Sequence, residues 1–423
     1  MGKYMLLYID PGTGSMLFSI LIGIVGTLVF FGQQVILKIK FIISGGKVQK
    51  INKSKIPCVI FTEDKRYWNI FKPICDEFER RKTKVVCWTS DPNDPCLSEK
   101  YTYVKAEFIG EGNKAYAKLN MMNARIVLAT TPSLDVYQWK RSKNVERYVH
   151  IPHSVDELLG YKMFGMDFFD AVLLSGEFQG KYIRALEQMR NTKPKELVIV
   201  GSPYMDAMAI KRDSLKEETL KQVQGDGEQK CRAELVSAPR VLLAPSWGTK
   251  AILTKFGEKL IDRLVETGFD ITIRPHPQSF KSEKKILDQL TRKYPNSEHL
   301  HWNNDTDNFN ILASSDILIT DFSAITLDYV LMFEKPIICA TSPTDNAPYD
   351  SAWFDEPVWR LKIVPEIGYW LDEKNFPRIK QIIEKALTST EFKKNIKRIS
   401  DEAWQNKGHA AEAVVDYLTK EEK

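Results

Sequence analysis

The sequence predicts an α/β protein: two Rossmann-like, doubly wound domains behind one N-terminal transmembrane helix. Three observations predict it. Short runs rich in Val, Ile and Leu, each ended by turn residues, alternate with helical patterns, and the series restarts after a polar interruption. Such continuous runs suit strands covered on both faces, hence parallel sheets. The 423 residues exceed one ordinary domain and suit two with an appendage. Finally, residues 11–37 carry no charge, and 16–31 are almost continuously apolar.

Residues 1–55 read as a membrane anchor and basic linker. Asp10, Thr13 and Ser15 are capping residue types just before the apolar run. Lys38, Lys40, Lys47, Lys50, Lys53 and Lys55 follow it, whereas only Lys3 precedes it. This positive-inside bias predicts a single-pass protein of the cytoplasmic (inner) membrane with its bulk in the cytoplasm. A cleaved signal peptide is the rival reading. Asp10 in its n-region and the lack of an Ala-x-Ala site before the lysines count against it.

Residues 56–213 form the first predicted domain, with strands at 57–61, 84–88, 125–129, 147–151, 170–174 and 196–200. A helix is expected at 68–80, where Ile70, Phe71, Ile74 and Phe78 share one face. Apolar density collapses over 214–239, which reads as a linker or inserted loop; at 222–238 a functional loop and a neutral insertion are both open. Residues 240–423 form the second domain. Strands are expected at 240–244, 269–273, 316–320 and 336–340, and helices near 251–266, 282–294, 324–333, 377–387 and 400–419. Ligands of such folds bind beyond the carboxyl ends of the strands.

Composition narrows the function. A net charge of +5 with 27% charged residues does not call for nucleic acid, and suits a phosphorylated substrate or an anionic membrane surface. Six cysteines without a Cys-x-x-Cys pair favour reduced thiols over disulfides or zinc. No phosphate-binding Gly-x-x-x-x-Gly-Lys-Ser/Thr loop and no Gly-x-Gly-x-x-Gly turn occurs, so ATPase and dehydrogenase readings lack support. No cofactor is expected.

The polar strand ends carry the chemistry. Arg274-Pro275-His276-Pro277 follows an apolar strand, and its prolines forbid a helix there. Arg274 is the candidate phosphate clamp, and His276 the candidate proton donor to a leaving phosphate oxygen. Thr320-Asp321-Phe322-Ser323 lies where a strand turns into a helix, a setting that favours phosphate. Thr320 and Ser323 add hydroxyl donors. Asp321 repels phosphate and suits a cap or a ligand hydroxyl; a plain helix cap is the bland reading of the whole turn. His150 and His153 end another strand. Alternation puts them on different sides, so one at most faces the cleft. His153, in the loop past Pro152, is the better candidate base, and a structural role is the alternative for each. Ser202 and Ser246 end two further strands, as cleft contacts or simple turn residues. Asp305-Thr306-Asp307 has a metal-binding form but lies in a very polar loop, so no metal site is predicted.

Together these residues resemble the CDP-glycerol glycerophosphotransferase family, which makes teichoic-acid-type polymers. Arg274-Pro-His-Pro277 is similar to its Lys/Arg-Pro-His-Pro. Ser315-Asp-Ile-Leu-Ile-Thr-Asp-Phe-Ser-Ala324, then Asp328 and Glu334-Lys-Pro-Ile-Ile338, is similar to its Ser-Asp-x-Leu-Ile-Thr-Asp-Tyr-Ser-Ser series. Leu243-Ala-Pro-Ser-Trp247, Val200-Gly-Ser-Pro203 and Lys407-Gly-His-Ala-Ala411 resemble further elements, so the likeness runs from about residue 149 to the end. The family's Trp-His-Gly-Thr-Pro-Leu-Lys is replaced by Ile151-Pro-His-Ser-Val-Asp156; His153 is the match, and His150 the other choice.

The resemblance implies a GT-B arrangement and transfer of glycerol phosphate, or a related polyol phosphate, from CDP-glycerol or a similar CDP-polyol donor. The acceptor would be lipid-linked or polymeric, and CMP would leave. His153 would activate the acceptor hydroxyl, while Arg274, His276, Thr320 and Ser323 hold or protonate the pyrophosphate. Two alternatives stay open: a nucleotide-sugar-dependent GT-B glycosyltransferase for surface polysaccharide, and a non-catalytic, membrane-tethered nucleotide-binding domain.

Overall fold

Thirteen described strands make two all-parallel sheets. The first comprises β1 (Ile56–Thr62), β2 (Val85–Thr89), β3 (Val104–Phe108), β4 (Asn123–Ala129), β5 (Asn144–His150), β6 (Ala171–Leu174) and β7 (Glu196–Ile199), in the order 3-2-1-4-5-6-7. The second comprises β8 (Arg240–Leu243), β9 (Asp270–Ile273), β10 (Leu300–Trp302), β11 (Ile317–Thr320), β12 (Ile337–Ala340) and β13 (Gly368–Leu371), in the order 10-9-8-11-12-13. The computed structural model describes residues 55–226, 238–305, 307–341 and 346–420. The expected anchor at 16–31 and most of the insertion at 222–238 lie outside the described residues. Among the described residues no helix is long and apolar enough to cross a membrane.

Each sheet reverses its strand order at one point, between β1 and β4 and between β8 and β11. Central strands are apolar throughout, as helices on both faces require: β6, β11 and β12 are buried at every residue. The three strands absent from the sequence reading, β3, β10 and β13, all lie on or beside an open edge of a sheet. There one side meets water, so Val-Lys-Ala-Glu-Phe and Leu-His-Trp lack a continuous apolar run.

Two further expectations are corrected. The segment from 214 is not a linker at once, because the Pro203–Asp226 helix runs through it. Its Leu, Lys, Glu and Gln residues are good helix formers whose polarity imitates a loop. The helix expected at 400–419 is two, Thr390–Ala403 and Ala410–Thr419. Asn406 (φ 51°) and Gly408 (φ 81°) turn the chain between them. The last helix then returns to the first lobe, where Val414, Val415 and Leu418 join the core around Phe71 and Ile74. Asp206 fixes the crossing. Its carboxylate accepts from the Trp404 indole N–H at 3.0 Å and from the Ala410 amide at 2.9 Å. Gly201 (φ 88°) lies under it, where a Cβ would stand 2.6 Å from the Gln405 carbonyl oxygen.

A second seam joins the lobes. The Met163 amide donates to Pro348 O (3.1 Å), Asp350 N to Tyr161 O (2.9 Å) and Ser351 N to Leu159 O (3.0 Å). Arg190, at the end of the Glu177–Arg190 helix, pairs with Asp350 and Asp167 in full burial, between the rings of Phe164 and Trp353.

Candidate active site in the cleft between the lobes

The loops after β5, β8 and β11 line one cleft, beyond the carboxyl ends of their strands. It encloses about 770 Å³. His153, Asp156 and Tyr161 line it from the first lobe, and Trp247, Lys250, Phe322 and Arg360 from the second.

His153 stands beyond β5, exposed to the cleft. Its ring packs between Tyr67 (5.4 Å between centroids) and Tyr161 (5.8 Å). Crowding by protein atoms lowers its pKa, against an opposing pull from Asp156 and with a further push from Arg66. His150 is fully buried instead, its Nε2 3.1 Å from Tyr161 Oη and its Nδ1 without a partner. Burial pushes its pKa down to about 3, so it stays neutral and away from solvent. Of the two histidines, His153 is the one that can meet a substrate.

His276 comes from the turn after β9, half-buried, its ring 6.4 Å from that of Trp247. Its Nδ1 accepts the Gln278 amide at 3.1 Å, so the neutral ring carries its proton on Nε2. Burial lowers its pKa, Glu283 opposes this, and Arg66 adds to it. The Arg66 guanidinium therefore acts on both histidines. It belongs to the turn after β1, held to Asp64 at 2.9 Å.

Several predicted ligands bond to the protein's own loops and strands in this structure. Arg274 is not a free phosphate clamp: its guanidinium donates to Asn303 Oδ1 and, at 2.8 Å, to Asp305 O, pinning the loop after β10. Thr320 is fully buried and donates to Ala244 O at 2.7 Å, tying β11 to β8. Asp321 is buried too and accepts the amides of Ser246 (2.8 Å) and Ile252 (2.9 Å). It thereby caps the Ile252–Val265 helix and shapes the Ser246–Gly248 turn from which Trp247 reaches the cleft. Burial raises its pKa, with those amides opposing. Ser323 Oγ accepts the Ile325 amide at 3.4 Å, at the start of the Ile325–Phe333 helix. Ser202 Oγ accepts the Met205 amide at 3.3 Å, a cap within Pro203–Asp226. Ser246 contributes its amide, as above, beside cleft-lining Trp247.

Sequence reasoning missed three residues here. Arg66 follows the first strand within Glu-Asp-Lys-Arg-Tyr, a signal available in retrospect because that strand borders the strand-order reversal. Tyr161 lies in an irregular segment and Arg360 in the four-residue Trp359–Lys362 helix, too short for a periodicity to mark. Arg360 faces Asp156 at 3.9 Å, and its amide donates to Glu157 Oε2 at 3.2 Å. Glu157 is fully buried with Oε1 unpartnered, and burial raises its pKa to about 7. Asp328 behaves alike, raised to about 7 by burial and then by Asp156. Among the described residues no cluster of ligating side chains fit for a metal ion occurs; Asp307 pairs with Lys211 at 2.6 Å.

Fold and cleft define a two-lobed, GT-B-like protein. Solved structures with this fold include the UDP-GlcNAc 2-epimerase of Neisseria meningitidis bound to UDP-GlcNAc (TM-score 0.52, 13% identity, covering 86% of this chain and 99% of that one). The S. aureus MnaA–UDP structure is similar too (TM-score 0.54, 11% identity, 85% and 95%). At such identities the likeness establishes the fold alone. Residues 171–352 match the model of the CDP-glycerol:poly(glycerophosphate) glycerophosphotransferase family, the family that the motifs resemble. No curated protein sequence matches the chain.

Proposed function

We propose that the protein is a membrane-associated transferase that moves glycerol phosphate, or a related polyol phosphate, from a CDP-linked donor to an acceptor hydroxyl of a cell-envelope polymer. The observation that carries this reading is a cleft lined by His153 from one lobe and by Trp247, Lys250 and Phe322 of the family-matched segment from the other, with the His276 ring 6.4 Å from that of Trp247. His153 Nε2 takes the acceptor proton as the hydroxyl oxygen bonds to the glycerol-bearing phosphorus. The P–O bond to CMP breaks, and CMP leaves. His276 supports the departing phosphate by a hydrogen bond from its neutral Nε2–H. Lys250 supplies positive charge at the second wall, Arg66 acts on both histidines from the turn after β1, and Trp247 offers an aromatic face to the nucleotide. Positioned charge is the main catalytic need of phosphoryl transfer. The apolar run at 16–31 and the lysines after it hold the enzyme at the cytoplasmic face of the membrane, beside a lipid-linked acceptor.

The test is CMP release from CDP-glycerol and CDP-ribitol, with UDP-sugars as controls, using the full chain and a membrane acceptor fraction. His153→Ala and His276→Ala should each lower kcat by about 10²–10⁴-fold. UDP release from a sugar donor, with none from either CDP-polyol, would instead establish the glycosyltransferase reading.

A further inference from the structure

His153 meets the cleft and Tyr161, and behind Tyr161 lies His150. The phenolic oxygen stands 3.1 Å from His150 Nε2 and 3.4 Å from His153 Nδ1. The hydroxyl has one proton to give, so it donates to one ring and accepts from the other. We propose that Tyr161 is a positioning residue that sets the ring orientation and tautomer of His153 through a hydrogen-bond chain ending on His150. The inference rests on the reading of His153 as the acceptor-side base.

For His153 to present a bare Nε2, its proton must sit on Nδ1. That N–H donates to Tyr161 Oη, and the hydroxyl proton passes on to Nε2 of His150. His150 is a fit terminus because it is fully buried and uncharged, so one of its two ring nitrogens offers a lone pair, and in this chain that nitrogen is Nε2. The proton of His150 then sits on Nδ1, which is buried and unpartnered, with the Phe169 ring 5.0 Å away at 61°. An unsatisfied polar atom in the interior calls for an explanation. Here it is the far end of a chain whose near end is the reacting nitrogen. An imidazole left to itself in water favours the proton on Nε2, so the chain must hold the other form. A tyrosine, unlike a carboxylate in that place, does not raise the basicity of His153. The charged groups around His153 are Asp156 in its own loop and Arg66 in the turn after β1; Arg360 reaches Asp156 from the second lobe. Tyr67 and Tyr161 flank the ring as neutral phenols.

The experiment is ¹⁵N-histidine NMR on the full chain in detergent, with His153 assigned by His153→Gln, comparing wild type, Tyr161→Phe and His150→Phe. Kinetics accompany it. In the wild type, neutral His153 should show a protonated Nδ1; in Tyr161→Phe it should revert to the Nε2–H form. The kcat of Tyr161→Phe should fall about 10-fold or more with KM within about 3-fold, and the acid limb of its pH profile should move. His150→Phe should do the same more weakly, and circular dichroism reports whether each variant is folded. An Nε2–H tautomer in the wild type, or an unchanged tautomer and pH profile in folded Tyr161→Phe, overturns the proposal. Full activity in His153→Ala overturns instead the reading on which it rests, which the NMR result does not touch.

Discussion

His150 and His153 show how one strand end divides its histidines between interior and cleft. His150 titrates far below the ordinary histidine value of about 6.5 because burial penalises its charge. Its folded-state pKa is depressed, so as pH falls below the unfolded value the unfolded chain binds a proton that the folded chain refuses. Stability is then lost progressively, by roughly 2 kcal/mol at pH 5. Urea titrations at pH 7 and pH 5 should show this loss, and His150→Phe should reduce it. His153 and His276 are shifted in the same direction. Both are therefore neutral at pH 7. The kcat/KM of the transferase should rise along one acid limb with its midpoint below 6.5 and stay flat above. A descending limb between pH 7 and 8 would mean that His276 gives up its proton rather than holding a hydrogen bond.

At the scale of elements, the strand ends proved legible in place but not in role. The strand at 269–273 and the turn after 320 were readable because apolar runs end at proline or at Asp-Phe-Ser. Whether a polar side chain at such an end faces ligand or its own fold depends on the neighbouring strand, which one sequence does not display. Arg274, Thr320 and Asp321 each serve an adjacent loop or strand. Thr320→Val should accordingly lower the urea midpoint, by about 1 kcal/mol of stability, and leave the donor KM within 2-fold. Edge strands escaped the reading for a similar reason, since their polarity reflects the water beside them. Asp328, in the Ile325–Phe333 helix, adds a pH signature. Its folded pKa is raised, so its contribution is present below about pH 4 and is lost as pH climbs through about 7. Asp328→Asn should flatten the fall in urea midpoint between pH 6 and pH 8.

Across the whole molecule, two crossings make residues 55–423 one compact unit rather than two loosely strung domains. The last helix returns to the first lobe, and the Arg190–Asp350 pair closes the other seam with both side chains almost fully buried. Asp350→Ala leaves the buried Arg190 guanidinium with Asp167 alone and the Phe164 amide without its acceptor, so it should destabilise the protein by about 1–3 kcal/mol in chemical denaturation. The plan of two parallel sheets was legible because the apolar periodicity starts twice. The crossings were not, because they depend on single residues such as Asp206 and Asp350 meeting partners far away in sequence. The central claim is transfer from a CDP-polyol through His153, and it is tested most directly by CMP release from CDP-glycerol with membrane acceptor, comparing the full chain with His153→Ala. CMP release by the full chain and a loss of at least about 100-fold in the variant is the predicted result. Equal rates in the two, or no CMP from any CDP-polyol, would contradict it.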